Sequence, residues 1–451
     1  MQILIRSGRF INPATGTDTI TDILISNGIV MQIAKNITPP ADSGNLRIID
    51  ADGMWVTPGL IDIHVHLRDP GQTHKETIAT GTAAAAAGGF TTVCCMPNTS
   101  PTVDSVETVK YIMDKADQEA TANVLIVASI TKHLAGLEIT PFADMKAAAH
   151  YTTGENDQTL MRDIGICAIS DDGRTVEDTT LLRTAMAQAK KLNLPMLSHC
   201  DDLQLVGKGQ ISEGAKTSEL GLIGIPNEAE SSIIARDIAL AKETGVHLHI
   251  CHVSTAEGVA HIRTAQEAGV KITAEVSPHH FTLTADDITA RDANFKMSPP
   301  LRSPKDRTAL RQALKDGTIS VIATDHAPHH TDEKGDESNF ENAPNGIIGL
   351  ETAVPLCISE LVETELLAPL ELIATLTINP AQIIGIDRGH ISVGGVADIT
   401  IIDPKQKYII DTNTFKSLSR NTPFHGREVT GRVVYTILNG RIVYDYERIN
   451  H

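Results

Sequence analysis

Two histidines, His64 and His66, stand two residues apart in "GLIDIHVHLRDPG", with Asp62 two before the first and Arg68 two after the second. Alternate residues of an extended strand share a face. Both imidazoles and Asp62 therefore belong on one side, Asp62 a layer deeper, with Ile61, Ile63 and Val65 turned toward whatever packs outside. A lone H-x-H is explained as well by a polar strand end. Further along, however, Asp171-Asp172, His199, His252 and Asp325 each close an apolar, β-rich run. Imidazoles and carboxylates are the donors of zinc and its neighbours, and this many exceed the needs of one tetrahedral ion. Two ions sharing a carboxylate would use them all, and such a pair, about 3.5–4 Å apart, lowers the pKa of water lodged between its members. The expected set is His64, His66, His199, His252, Asp325 and an aspartate at 171 or 172, probed from behind by Asp62 as an orienting acid.

Other histidines carry weaker expectations. His247 and His249 have the opposite strand parity to His252 and are expected to face outward. His279 and His280 follow a strand and suit the rim. His74, His133, His150 and His261 fall in predicted loops or helices and read as solvated, whereas His329, just beyond Asp325, is placed to reach a substrate.

Elements that bring such distant residues together can be read from the middle of the chain. Eight short β-rich runs, "LIDIHVH", "FTTVCCM", "VLIVASI", "GICAIS", "LPMLSH", "VHLHICHV", "KITAEV" and "ISVIATD", alternate with helical segments between about 56 and 385. That pattern predicts parallel βα units and an α/β fold of the (β/α)8 TIM-barrel type, whose strand C-termini converge on one face. A doubly wound sheet is the competitor, but no Gly-rich phosphate loop follows the first run. Both ends differ from the middle: residues 1–55 and 386–451 read as short strands with Gly and Asn turns, including Asn439-Gly440, a strong hairpin signal. Together they predict one small β-sandwich domain built from both termini, with 56–385 as the catalytic barrel.

Composition narrows the function. The 451 residues carry a formal charge of −18, which argues against a nucleic acid or an anionic membrane as partner. No run approaches a membrane span, and the N-terminus lacks the layout of a signal peptide. The six cysteines lack disulfide or zinc-ribbon spacing, so a reducing cytoplasm is the expected compartment.

"GLIDIHVHLRDPGQTHKETIATGTAAAAAGGFTTVCCMPNTSP" closely resembles the first metal motif of dihydroorotases, and "ATDHAPH" their last. "ISDDG", "LSHCDD", "ICHVST", "SPHHFTLT" and "KMSPPLR" follow in the expected order, so the resemblance spans nearly the whole chain. It implies a zinc-dependent cyclic amidohydrolase that interconverts N-carbamoyl-L-aspartate and L-dihydroorotate in pyrimidine biosynthesis. Relatives with a carboxylated lysine bridge differ from this chain, whose fourth run ends in acids; the resemblance places the bridge at Asp172. It puts His64, His66 and Asp325 on one ion and His199 and His252 on the other, with Asp325 also the general acid and base. It further implies that Arg68, Asn98, His329 and the backbone at Asn345 and Gly346 bind substrate beside His66, with Arg68 and Asn98 on its carboxylate. Ser298 stands where many relatives have asparagine, leaving its substrate contact shortened or water-bridged. A homodimer and association with aspartate transcarbamoylase are the assemblies this reading admits. The acidic stretch "HHTDEKGDESNFENAP" beside the mouth is expected to be a mobile flap or a solvated loop. Hydantoinases and allantoinases are the nearest rivals, and a catalytically silent scaffold is a more distant one.

Overall fold

The computed structural model describes residues 2–39, 46–148 and 165–446; His150 lies outside them. The chain opens with strands β1 (Gln2–Asn12), β2 (Thr17–Ser26), β3 (Ile29–Ala34), β4 (Leu46–Asp50) and β5 (Trp55–Pro58). The parallel strands β6 (Leu60–Val65), β7 (Phe90–Cys95), β8 (Asn123–Ala128), β9 (Ala168–Ile169) and β10 (Met196–Ser198) follow. A minor pair, β11 (Ile211–Ser212) and β12 (Gly224–Ile225), precedes β13 (Leu248–Ile250), β14 (Ile272–Val276) and β15 (Val321–Ile322). The chain then runs through β16 (Ile399–Ile409), β17 (Glu428–Leu438) and β18 (Arg441–Asp445).

Eight strands, β6 to β10 and β13 to β15, line up in chain order in one parallel sheet, with helices such as Ile78–Ala87, Thr179–Lys191 and Glu228–Thr244 between them. Each expected run supplies one strand. The sheet closes through a single bridge between Val65 and His326, with the His66 amide donating to His326 O at 2.8 Å. Asp62 reinforces that seam: its carboxylate accepts the Thr324 amide at 3.2 Å and the His64 amide at 3.1 Å. Burial raises the Asp62 carboxyl to about 7, against these three-centre contacts, which pull it down. Asp62 thus fastens backbone and does not orient a histidine ring.

Ile61 and Ile63 correct another expectation. They cluster with Cys94, Leu125, Val127, Leu197, Cys251, Val321 and Ala323, one or two residues from nearly every barrel strand, and so fill the barrel interior. The outer shell, facing the helices, takes Leu60, Val65, Val93, Ile126, Met196 and Ile250. Histidine 64 nevertheless points inward, because the pairing of β6 with β7 slips between Asp62 and Val65. Three residue steps on β6 match two on β7, and such a bulge re-aims side chains at a barrel rim.

The terminal strands make a second sheet, ordered β18-β17-β16-β5-β1-β2-β3, with β4 added alongside β1. Strand β5 joins the two ends by pairing with β1 on one side and β16 on the other. Ile3, Ile5, Phe10, Ile25, Ile399, Ile401 and Ile437 share its core. No helix among the described residues is long and apolar enough to cross a membrane. All six cysteines are buried and unpaired.

The turn between β17 and β18 is the two-residue Asn439-Gly440, with φ of 49° and 68°. A Cβ on Gly440 would sit 2.6 Å from the Gly28 Cα. Left-handed geometry and this clash together set an expected cost of about 1–3 kcal/mol for Gly440→Ala. Thermal denaturation should show a lower midpoint for the variant, with metal content unchanged; an unchanged midpoint would contradict the turn.

Candidate metal centre

Six side chains from five barrel strands meet at the C-terminal ends of those strands. His64 Nε2 lies 3.2 Å from Asp172 Oδ1 and 3.5 Å from Asp325 Oδ1. His66 Nε2 lies 3.1 Å from Asp325 Oδ1 and 3.5 Å from Asp172 Oδ2. His199 Nδ1 and His252 Nε2 approach the same Asp172 Oδ1 at 3.6 and 3.8 Å, and are 3.0 Å from each other. Donor atoms on a tetrahedral ion with bonds of about 2.0–2.2 Å sit about 3.3–3.6 Å apart. These spacings are in the range that a bound cation would set. His64, His66 and Asp325 lie close enough to hold an ion, as do His64, Asp172 and His252.

For His64, His66 and His199, the nitrogen each ring offers is settled by what holds its other side. His64 Nδ1 is 2.7 Å from Glu275 Oε1, His66 Nδ1 is 2.8 Å from Asn98 Oδ1, and His199 Nε2 is 3.0 Å from Asp201 Oδ2. Each contact commits one N–H to an oxygen and turns the opposite lone pair inward. His64 Nε2 and Asp172 Oδ1 are buried and lack a hydrogen-bond partner. Orphaned donors of this kind, in an imidazole and carboxylate set, fit a bound divalent cation.

Electrostatics agree. Burial penalises the Asp172 and Asp325 carboxylates, yet the surrounding imidazoles outweigh it and hold both below the usual carboxylate range. Burial likewise opposes charge on His64 and His199, but Asp172 with Glu275 raises the first well above its usual value, and Asp172 with Asp201 lifts the second to about 10. Burial instead lowers His66. Acids kept ionised beside His64 and His199, which hold protons readily, suit a site where a cation displaces protons.

Asp171 turns away, accepting the Thr131 amide at 3.0 Å and its hydroxyl, so Asp172 alone of the pair faces the rings. Backbone strain clusters here too. Arg68, His252 and Asp325 have φ of 58°, 31° and 49°, a region ordinary side chains avoid and functional sites retain.

The residues expected to bind substrate form the adjoining wall. Arg68 is buried, its Nε donating to Pro328 O at 3.1 Å and its NH2 lying 3.3 Å from His329 Nε2, which also lies 2.8 Å from Asn345 O. Gly346 has φ of 116°, and a Cβ there would meet the Ala327 Cβ at 2.5 Å. Asn98 spends its amide on His66 and, at 3.4 Å, on Asp172 Oδ2; Ser298 donates to Asp201 Oδ2 at 2.8 Å. The acidic stretch beside the mouth is anchored by Lys334, whose buried ammonium donates to Ala293 O and Pro344 O, each at 2.9 Å.

Two acids escaped the sequence reading. Glu275 lies in the barrel interior on β14, and its carboxylate collects the His64 ring, the His252 amide at 3.3 Å and His249 Nε2 at 3.0 Å. His249 therefore points inward, against expectation: the chain leaves strand geometry after Ile250, so parity counted back from His252 fails. Burial disfavours the Glu275 charge, but His64 and His249 prevail and hold it at about 2. The available signal was Thr273 and Glu275, polar at alternate positions of an otherwise apolar run. Asp201, the other missed acid, follows His199 by two. His280 Nε2 contacts Pro299 O at 3.0 Å, a structural role at the rim.

Comparison with known proteins follows the same lines. The amidohydrolase family pattern matches residues 55–443. The dihydroorotase of Geobacter metallireducens is 47% identical over 444 residues, 98% of this chain and 100% of that protein. That of Syntrophotalea carbinolica is also 47% identical, over 98% of this chain and 99% of its own. Among solved structures, the L-hydantoinase (dihydropyrimidinase) of Arthrobacter aurescens aligns with a TM-score of 0.85 at 25% identity, over 98% of this chain and 96% of that one. Dihydropyrimidinase from Brevibacillus agri aligns at 0.82 and 24% identity, over 99% and 96%, a likeness of fold.

Glu275→Gln keeps the side-chain shape but loses the acceptor-only carboxylate. Affinity for a divalent cation should fall about 10–100-fold, read by chelator competition on folded protein. Unchanged affinity would remove Glu275 from the support of this cluster.

Proposed function

We propose, from the premise that the chain belongs to the amidohydrolase family and within it to the dihydroorotases, that it interconverts N-carbamoyl-L-aspartate and L-dihydroorotate. The observation that carries this reading furthest is Asp172 ringed by His64, His66, His199 and His252, with Asp325 against His66 and Arg68 buried against His329. His64, His66 and Asp325 would hold one cation, His199 and His252 a second, and Asp172 both. Imidazole and carboxylate donors favour zinc. When bound, such ions polarise the amide carbonyl and make water acidic enough to ionise near neutrality.

The chain's own groups do the rest. In the hydrolytic direction Asp325, ionised because the imidazoles hold it so, takes the proton from water as the oxygen adds to the ring amide carbon. The C–N bond then breaks, and the same proton passes from Asp325 to the departing nitrogen. Ring closure runs these steps backward: the carbamoyl nitrogen gives its proton to Asp325, joins the side-chain carboxyl carbon, and water leaves with that proton. Arg68 supplies a planar fork for the free carboxylate of the substrate. Its burial lowers it to about 10, still fully charged at neutral pH, with Asp325 and Asp172 opposing that drop. His329 and the Asn345–Gly346 backbone shape the same wall. Division into a composite domain of 1–55 with 386–451 and a barrel of 56–385 belongs to the same proposal.

Turnover of L-dihydroorotate, with hydantoin and allantoin poor or inert, is the expected result; activity on the latter two alone would overturn the assignment, because neither needs Arg68. Asp325→Asn should lose at least about 10²-fold in kcat while keeping metal, and wild-type rates would refute its proton role. Arg68→Met should raise KM with metal content unchanged; loss of metal would place Arg68 elsewhere.

A further inference from the structure

The segment between β16 and β17 leaves the terminal sheet and crosses to the barrel mouth, where residues 416–421 bind three loops at once. Glu351 accepts the Lys416 amide at 2.8 Å and the Ser417 amide at 3.0 Å. Glu76 accepts the Ser417 hydroxyl and, at 3.0 Å, the Leu418 amide. Ser419 donates to Lys75 O at 2.7 Å.

Asn421, only 5% exposed, ends this strap with its side-chain amide and its carbonyl all bonded. Its Oδ1 accepts the His329 amide at 3.1 Å, its Nδ2 donates to Ala327 O at 3.0 Å and to Gly346 O at 3.1 Å, and its own carbonyl accepts the Ile348 amide at 3.0 Å. One side chain thereby clasps the chain just after Asp325 to the loop that carries Asn345 and Gly346. Arg68 leans on the same construction through Pro328 O and His329. None of the strap's groups touches the six candidate ligands.

We propose that Asn421 is a positioning residue of the substrate pocket, through which the terminal sheet fixes the wall formed by Arg68, His329 and Gly346. This rests on the dihydroorotase reading for its substrate but not for its geometry. Buried amides with all partners made hold a loop in one arrangement, and removing one lets the loop drift. A displacement of the recognising wall weakens substrate capture while leaving the metal cluster intact.

The full chain, metal-loaded, decides the matter through Asn421→Ala and the milder Ser419→Ala. Asn421→Ala should raise KM for L-dihydroorotate about tenfold, with kcat and the metal-to-protein ratio near wild type, and Ser419→Ala should move KM the same way by less. Hydrogen exchange should quicken in 326–330 and 343–348 and stay unchanged in the barrel strands. Unchanged KM and unchanged exchange would overturn the proposal, as would a fall in kcat accompanied by metal loss or faster exchange throughout the barrel. If Asn421→Ala does not fold, Ser419→Ala decides alone on the same readouts. Should the wild-type chain fail to turn over dihydroorotate, the proposed function falls, and the exchange pattern still settles the role of Asn421.

Discussion

An ionised carboxylate buried without ordinary hydrogen bonds is costly, by several kcal/mol even after relaxation. Asp172 is 3% exposed and one of its oxygens has no conventional donor. Four imidazoles surround it, and nearly everything nearby serves to aim them. Glu275, Asn98 and Asp201 each hold the far side of one ring. Apart from the Glu275–His249 pair, Ile61, Ile63, Leu125, Val127 and Leu197 line the barrel interior beneath with apolar surface, which strengthens charge interactions above it. Positive charge at the centre is thus what the surrounding fold is arranged to receive.

Much of this was legible because a parallel barrel converts order along the chain into position around a ring. Apolar β-rich runs mark the strands, and polar residues at their ends mark the functional face. Eight runs became eight strands, and Asp172, His199, His252 and Asp325 fell where strand ends predicted. Inside and outside were less legible. Alternation assumes an unbroken strand, whereas β6 carries a bulge next to His64 and the chain turns abruptly at His252. Both irregularities lie at the candidate metal cluster, so simple parity misplaced Ile61, Ile63 and His249 while the candidate ligands converged. Glu275 was missed for a related reason: an acid in a barrel core has meaning only once its partners on β6 and β13 are known.

Strain and satisfaction divide the labour at the mouth. Arg68, His252 and Asp325 occupy unfavourable backbone conformations. Around them, Asp62, Glu76 and Lys334 each fasten backbone from a different element. A reactive group can be kept in a poor conformation only where the surrounding frame has few alternatives. The terminal sheet belongs to that frame, since its strap reaches the same loops.

Because β5 pairs with β1 on one edge and β16 on the other, the two halves of that sheet are separated by the whole barrel in order of synthesis. A ribosome delivers β1 to β5 first, then some 330 residues of barrel, and only afterwards the strand that covers the free edge of β5. During that interval the nascent chain displays an open strand edge, the kind of surface that recruits chaperones or misassociates. Strands made after the barrel are therefore the ones that seal those made before it, and the sheet is completed only once the barrel has been synthesised.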